Sequence, residues 1–293
     1  MSVAIIINPI SGGARPGVAR ARAGVAADLL TSSGEGGEVF VTERKGHARE
    51  LAAGAVARGA RLIVAWGGDG TVNEIASFLA FGQTPLAIVP SGSGNGLARD
   101  LGVARRPEDA LRRALGASPR VIDAGELGGR LFFNLAGVGF DAHVASCFDR
   151  DAAGRRGLAS YVRITLRELV AYRSATYRLD RGGAFRSHHA LLVTFANGSQ
   201  FGNGLRIAPG ARLDDGKLEL VVFEESARLR TFAALPRLFA DRAKGTRGLS
   251  QEPIEHAAVE SDHPMMFHVD GEVVQGGTRL EARVLPGALR VCV

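Results

Sequence analysis

Only two cysteines occur in this 293-residue sequence, Cys147 and Cys292, and neither stands in a CxxC pair or a Cys/His array. Neither zinc nor a disulfide framework is therefore suggested. Long apolar runs are missing as well; the longest are strand-sized, such as Val3 to Ile7, far short of the roughly 18 residues that a spanning helix requires. The first Met is followed by Ser2 and a short apolar run without a basic leader, so no signal peptide is expected and the chain is expected in the cytoplasm. Lysine is scarce, confined to Lys45, Lys217 and Lys244, so the net charge of +6 and the pI near 10.0 rest on arginine. That balance invites an anionic partner, but no zinc finger, RNP aromatic motif or basic arm accompanies it, which argues against nucleic acid. Three nucleotide or hydrolase signatures are also missing. No GxxxxGK followed by Ser or Thr occurs, no serine has the glycine spacing of GxSxG, and Gly137-Val138-Gly139-Phe140 lacks the third glycine of a Rossmann fingerprint.

What is present is a 46% hydrophobic chain long enough for two cores. Up to about residue 120, short apolar runs alternate with helical periodicity. Strands are expected at Val3 to Ile7, Val39 to Thr42, Leu62 to Trp66 and Leu86 to Val89, with a helix from about His47 to Arg58. This is the pattern of an α/β domain with a parallel sheet, whose carboxyl-end turns line one crevice. Farther on, strand-like runs separated by Gly turns predict a second, mainly antiparallel β-rich domain. Candidate strands are Val121 to Ala124, Leu131 to Leu135, Ala190 to Ala196, Lys217 to Phe223, Met266 to Val269 and Arg279 to Val284. Helices are expected near Ala159 to Tyr172 and Ala227 to Phe239, and loops at Arg181-Gly182-Gly183 and Lys244 to Gln251. The expected boundary gives domains 1–122 and 123–293, with the extreme C-terminus able to pack back on the first.

The most informative turn is Gly67-Gly68-Asp69-Gly70-Thr71, between the apolar run Leu62 to Trp66 and the helix-like Val72-Asn73-Glu74. Glycines let the backbone approach a ligand, and amides at a helix start attract anions. A carboxylate among such amides fits a magnesium-complexed nucleotide. A plain strand-to-helix turn with Asp69 as N-cap is the other reading. A second anion cradle, Pro90-Ser91-Gly92-Ser93-Gly94-Asn95-Gly96, also opens a helix.

Asn8-Pro9-Ile10-Ser11-Gly12, the GGDGTVNE run at 67–74 and Pro90 to Asn95, in that order, resemble the catalytic domain of the diacylglycerol and sphingosine kinase family. The likeness continues through Asn134 to Asp141, Pro209-Gly210-Ala211, Leu213 to Leu218 and Asp270-Gly271-Glu272, as in soluble bacterial lipid kinases. It implies transfer of the γ-phosphoryl group of ATP to a lipid hydroxyl. Nucleotide would be held by Asn8, Ser11, Gly12, Thr42, Gly67, Gly68, Asp69, Gly70, Thr71, Val72, Asn73 and Ser93, with Glu74 orienting the loop and Arg15 a candidate phosphate contact. Asp69 would organise the catalytic Mg²⁺ and Glu272 would be the general base. A further Mg²⁺ would take Asp215 with the carbonyls of Arg212 and Lys217, an oxygen set that suits the ion, while Asp123 could join a carboxylate-water-metal network. From spacing alone, Asp214-Asp215-Gly216 reads as a solvated turn and Asp-Gly-Glu as an ordinary hairpin.

One departure from the resemblance concerns the acceptor. Many bacterial diacylglycerol kinases have GTxND where this sequence has Gly92-Ser93-Gly94-Asn95-Gly96, so a carboxylate is missing and the lipid is left open between diacylglycerol-like and sphingoid-like. A lipid acceptor implies transient association with a membrane surface. The segment Ser226 to Lys244, with Leu229, Phe232, Leu238 and Phe239 beside Arg228, Arg230, Arg237, Arg242 and Lys244, is a candidate contact with anionic lipid, although a domain-packing helix interrupted by Pro236 is the reading its pattern favours. A soluble-substrate kinase of the NAD kinase or phosphofructokinase type, and a non-catalytic binder on the same fold, stay open as alternatives. The oligomeric state is also open, a homodimer included.

Overall fold

The computed structural model describes residues 2–13, 17–150, 158–202, 205–225 and 248–293. Arg15, the expected helix Ala227 to Phe239 and the candidate membrane segment Ser226 to Lys244 lie outside the described residues. The chain forms two compact units, Met1–Ile122 together with Gly287–Val293, and Asp123–Pro286. No helix among the described residues is long and apolar enough to cross a membrane.

The first unit contains β1 (Val3–Ile7), α1 (Val18–Ser32), β2 (Gly37–Val41), α2 (His47–Ala57), β3 (Leu62–Gly67), α3 (Asp69–Leu79), β4 (Leu86–Pro90), α4 (Gly96–Asp100) and α5 (Pro107–Gly116). β5 (Arg120–Leu127) carries the chain into the second unit. β1 pairs in parallel with β2 and β3, and β3 pairs in parallel with β4. Every residue of β1 is at most 1% exposed, as expected of a parallel strand covered on both faces. Each such Val or Ile contributes about 1.5–3 kcal/mol relative to exposure. Leu29 and Leu30 of α1 and Ala110, Leu111 and Ala114 of α5 join this core. The sheet is closed on its other side by the last residues of the chain, Val291 and Cys292, which pair in parallel with Leu86 and Ala87.

The second unit contains β6 (Arg130–Phe132), β7 (Leu135–Gly139), α6 (Phe140–Arg150), α7 (Leu158–Ala171), β8 (Ala175–Asp180), β9 (Phe185–Ala196), β10 (Gln200–Gly202), β11 (Leu205–Arg206), β12 (Leu218–Glu224), β13 (Leu249–Ile254), β14 (His256–Glu260), β15 (Met266–Val269) and β16 (Glu272–Gln275). The long β17 (Arg279–Cys292) starts here and ends in the first unit. Pairing is antiparallel throughout: β9 meets β8 along its first half and both β7 and β12 along its second. Phe132, Phe195 and Phe267 fill the core.

Two sequence expectations change. Leu131 to Leu135 is not one strand; the chain breaks at Phe133-Asn134, where the amides of Phe133, Asn134 and Leu135 leave the ladder and turn to the Asp270 carboxylate at 2.9, 2.9 and 3.0 Å. Leu249 to Gln251, expected in a loop, are strand residues because their partners Phe223, Val222 and Val221 present a buried edge.

Candidate active site

In the first unit, three turns at the carboxyl ends of β1, β3 and β4 are packed together by contacts that only glycine allows. A Cβ on Gly12 would lie 2.3 Å from the Ser91 carbonyl oxygen, and one on Gly92 would lie 2.6 Å from the Gly68 Cα. Gly12 also has φ +75, a left-handed conformation that disfavours other residues. Hydrogen bonds complete the cluster. Asn8 Nδ2 donates to Thr71 Oγ1 at 2.8 Å, and the Ser11 and Ser91 hydroxyls meet at 2.6 Å. Ser91 rather than Ser93 thus bridges to the first turn, while half-buried Ser93 stands beside it in the third turn.

Asp69 opens α3, but the N-cap of that helix is Gly68 and no side chain caps it. The N-cap reading of Asp69 is therefore corrected for its own helix. Its carboxylate crosses to the third turn, where Oδ2 accepts the Asn95 N–H at 2.8 Å and Oδ1 accepts the Gly96 N–H at 2.9 Å. Asn95 is left-handed at φ 53 and closes its own turn through Gly92, accepting from the amide at 2.9 Å and donating to the carbonyl at 2.7 Å. Gly96, where the diacylglycerol kinase motif has a carboxylate, contributes only its backbone amide to Asp69.

Other expected residues sit around these turns. Thr42 follows β2 and donates its backbone N–H to Ile7 at 2.9 Å. Thr71, Val72 and Asn73 are buried on α3, and Asn73 Oδ1 accepts from Ser77 Oγ at 3.3 Å. Gly67 is held so close to Thr71 that a Cβ would lie 2.6 Å from the threonine Cβ, whereas Gly70 has open space around it. Glu74 Oε1 accepts the Gly46 amide at 3.1 Å, bracing the start of α2 rather than entering the cluster through its own turn.

Arg22 was not anticipated. From α1 its guanidinium donates to the Asn8 carbonyl at 2.9 Å and to the Ser11 hydroxyl and carbonyl at 3.1 and 3.2 Å. Burial lowers its pKa from the ordinary arginine value, yet it stays cationic and puts a fixed positive charge under the first turn. A lone arginine in a helix pattern rich in Ala and Arg carries no signal of this role; only the return of α1 beneath β1 reveals it.

In the second unit, Asp270 and Gly271 both have positive φ, at 48 and 86, forming the Asp-Gly turn between the paired residues Val269 and Glu272. Glu272 is half-buried at the start of β16. The turn is held in place by the three amides on Asp270 and by the Asp270 N–H, which donates to the Leu135 carbonyl at 2.8 Å. Behind it, buried His268 accepts the Gly271 N–H on Nδ1 at 3.4 Å and places Nε2 3.2 Å from Asp141 Oδ2. Asp141 is itself fixed by Thr194 Oγ1 at 2.9 Å and by the Ala142 amide at 2.8 Å. Gly137 makes room for that carboxylate, since a Cβ there would lie 2.3 Å from Asp141 Oδ2.

The loop carrying Arg212, Asp215 and Lys217 is braced by Asp123, 4% exposed, whose Oδ2 accepts the Gly216 amide at 2.7 Å and whose own N–H donates to the Leu213 carbonyl at 2.6 Å. Asp215 Oδ1 accepts the Lys217 N–H at 3.1 Å, and Arg212 pairs with Asp214 at 3.4 Å on the surface. An exposed carboxylate beside a turn held rigid at its base is a donor set that fits a hydrated Mg²⁺.

Residues 2–127 match the diacylglycerol kinase catalytic domain, and residues 134–293 match the YegS C-terminal NAD kinase beta sandwich-like domain. A protein named "Probable lipid kinase YegS-like" from Pseudomonas fluorescens is 34% identical over 258 residues, covering 87% of this chain and 84% of that protein. One of the same name from Pseudomonas aeruginosa is 33% identical over 282 residues, covering 95% and 91%. A solved diacylglycerol kinase structure from Bacillus anthracis, 19% identical, covers 99% of this chain and 96% of its own with a TM-score of 0.73, a likeness of fold alone. The chain therefore belongs to the YegS-like lipid kinase family, a kinase whose catalytic domain is of the diacylglycerol kinase type.

Proposed function

We propose that this kinase moves the γ-phosphoryl group of Mg-ATP to the hydroxyl of a diacylglycerol-like or sphingoid-like lipid at a membrane surface. The observation that carries the proposal is the glycine-packed cluster of three turns, with the Asp69 carboxylate bonded to the Asn95 and Gly96 amides. In this reading the amides of Gly67, Gly68, Gly70 and Thr71 and the side chains of Asn8, Ser11, Thr42, Asn73 and Ser93 seat the nucleotide phosphates, with Gly12 and Val72 shaping the walls. Arg22 adds positive charge beneath them. Mg²⁺, when bound, neutralises phosphate charge. Asp69 would hold that ion or its waters, and the hydrogen bonds from the Asn95 and Gly96 amides fix its carboxylate.

Glu272 is the group we assign as general base. It takes the proton from the lipid hydroxyl as that oxygen bonds to the γ-phosphorus and the bond to the ADP oxygen breaks. The Asp-Gly turn, pinned by Asp270 and backed by His268 and Asp141, gives it a fixed mount. Asp215 with the carbonyls of Arg212 and Lys217 would hold a second Mg²⁺ that shapes the surrounding loop.

A labelled-ATP transfer assay in mixed micelles tests the proposal, with diacylglycerol, monoacylglycerol, sphingoid bases, ceramide and phosphatidylglycerol offered beside NAD and fructose 6-phosphate. A phosphorylated lipid is expected; label appearing only in a soluble acceptor would overturn the reading. Glu272→Gln is expected to lose turnover by about 100-fold or more, the usual scale of general-base catalysis, while still binding ATP. An active Glu272→Gln enzyme removes Glu272 as the base.

A further inference from the structure

The sequence alone points away from zinc, yet folding brings together three ligand-type side chains that no part of the kinase reading uses. His143 and Cys147 lie four residues apart on α6, on one face of the helix, and Glu168 faces them from α7. His143 Nε2 lies 2.8 Å from Glu168 Oε2 and 3.6 Å from Cys147 Sγ, and all three ligand atoms lie within 4.8 Å of one another. From this geometry we infer a zinc-binding site formed by His143, Cys147 and Glu168 that joins α6 to α7.

One of the spacings already suits that ion. With Zn–S of about 2.3 Å and Zn–N or Zn–O of about 2.0–2.1 Å, tetrahedral coordination separates sulfur from nitrogen by about 3.6 Å and nitrogen from oxygen by about 3.3 Å. The first spacing is already present; the second requires an opening of about half an ångström from the hydrogen-bonded pair, within reach of side-chain rotation. A hydrogen-bonded His–Glu pair accounts for one of these contacts without metal. The four-residue spacing on α6 brings the thiol to the same Nε2, so one ring nitrogen has both a carboxylate and a sulfur within reach. Sulfur, imidazole and carboxylate together form a borderline-soft set that prefers Zn²⁺ to Mg²⁺, and thiolate plus carboxylate cancel the charge of the ion.

The surroundings hold the set in place. Arg167 Nε donates to the other carboxylate oxygen, Glu168 Oε1, at 2.8 Å. The His143 ring rests against Tyr172, with centroids 5.1 Å apart, and Tyr172 packs edge-on against Phe140 at 5.3 Å. Exposure of 28% for the His143 side chain and 18% for Glu168 leaves the site partly dry and still open to an ion from solvent. Three protein ligands leave a fourth position for water.

Cobalt(II) and zinc(II) titrations of chelator-treated full-length protein, with Mg²⁺ in excess, test the site. The expected result is one Co²⁺ per chain with the visible absorption of a tetrahedral ion and a thiolate charge-transfer band, displaced by Zn²⁺. Cys147→Ser should abolish that band, and Cys147→Ser, His143→Gln and Glu168→Gln should each weaken Zn²⁺ binding by more than the roughly 10- to 100-fold that loss of an outer-shell partner costs. A band that persists in Cys147→Ser overturns the inference, as does Zn²⁺ affinity no greater than that of the triple variant. Should the variants fail to fold, alkylation of Cys147 in the unmodified chain decides: protection by Zn²⁺ supports the site, and an unchanged rate refutes it.

Discussion

Asp270→Ala should damage the second unit more than any change at neighbouring Glu272. The carboxylate satisfies three amides, and the residues that bear them, Phe133, Asn134 and Leu135, are 0%, 6% and 2% exposed. Removing it leaves three buried donors without their acceptor, at about 1–3 kcal/mol each. Water entering the cavity would satisfy one of them, which leaves about 2–6 kcal/mol, and alanine in the left-handed conformation of residue 270 adds about 1 kcal/mol. Against a typical domain stability of about 5–15 kcal/mol this is a large fraction. At roughly 2–4 °C per kcal/mol, the unfolding midpoint of the second unit should fall by about 6–28 °C. Asp270→Asn, which tolerates the positive φ and keeps one acceptor oxygen, should lose about half as much. The single tryptophan, Trp66, lies in the first unit, so its fluorescence follows that unit separately. Circular dichroism melts, with hydrogen exchange read at the amides of residues 133–135, supply the measurement for the second. An Asp270→Ala protein that melts within about 2 °C of the parent, with those amides still protected, would refute the reasoning.

Gly92→Ala should cost the protein nucleotide affinity with little change in overall secondary structure, because its Cβ would lie 2.6 Å from Gly68 Cα and must push two turns apart; isothermal titration with ATP measures this. Asp69→Asn keeps an acceptor for one of the Asn95 and Gly96 amides and turns an NH₂ toward the other, so the first unit should lose about 2–4 kcal/mol even without nucleotide. Unchanged urea unfolding by Trp66 fluorescence would show that Asp69 serves the ligand alone. The Arg61 guanidinium, through its hydrogen bond, holds the Glu35 carboxyl below the usual carboxylate value. This pair stabilises the fold above the unfolded carboxylate pKa of about 4.3 and loses its effect as pH falls through the lower folded value. The stability gap between parent and Arg61→Gln should therefore close in acid, which urea titrations across that range can follow.

Much of the first unit is legible in the sequence because parallel strands covered on both faces are runs of apolar residues, as in Val3 to Ile7 and Leu62 to Trp66. The second unit hides more. β8 alternates exposed and buried positions over only six residues, with Thr176 and Arg178 facing outward, and β13 carries Glu252 and Pro253, so neither looks like a core strand. At the candidate site, the ordered glycine turns can be seen in the sequence, but their partners cannot. Nothing local ties Asp69 to the Gly96 amide or Asp270 to the Phe133 amide, 137 positions away. Arg22 and Glu168 are likewise ordinary helix residues until the fold gives them neighbours.

The parallel pairing of Val291 and Cys292 with Leu86 and Ala87 has a consequence for biosynthesis. A ribosome makes the first unit in two instalments separated by the whole of residues 123–286. Until residues 287–293 emerge, β4 stands as an unpaired apolar sheet edge, and the Phe81 amide lacks the Ala288 carbonyl that receives it at 2.6 Å. The second unit is itself complete only at Pro286, so both units finish together, at the end of synthesis, rather than one after the other. A completed first unit then marks a chain whose later segments have already been made.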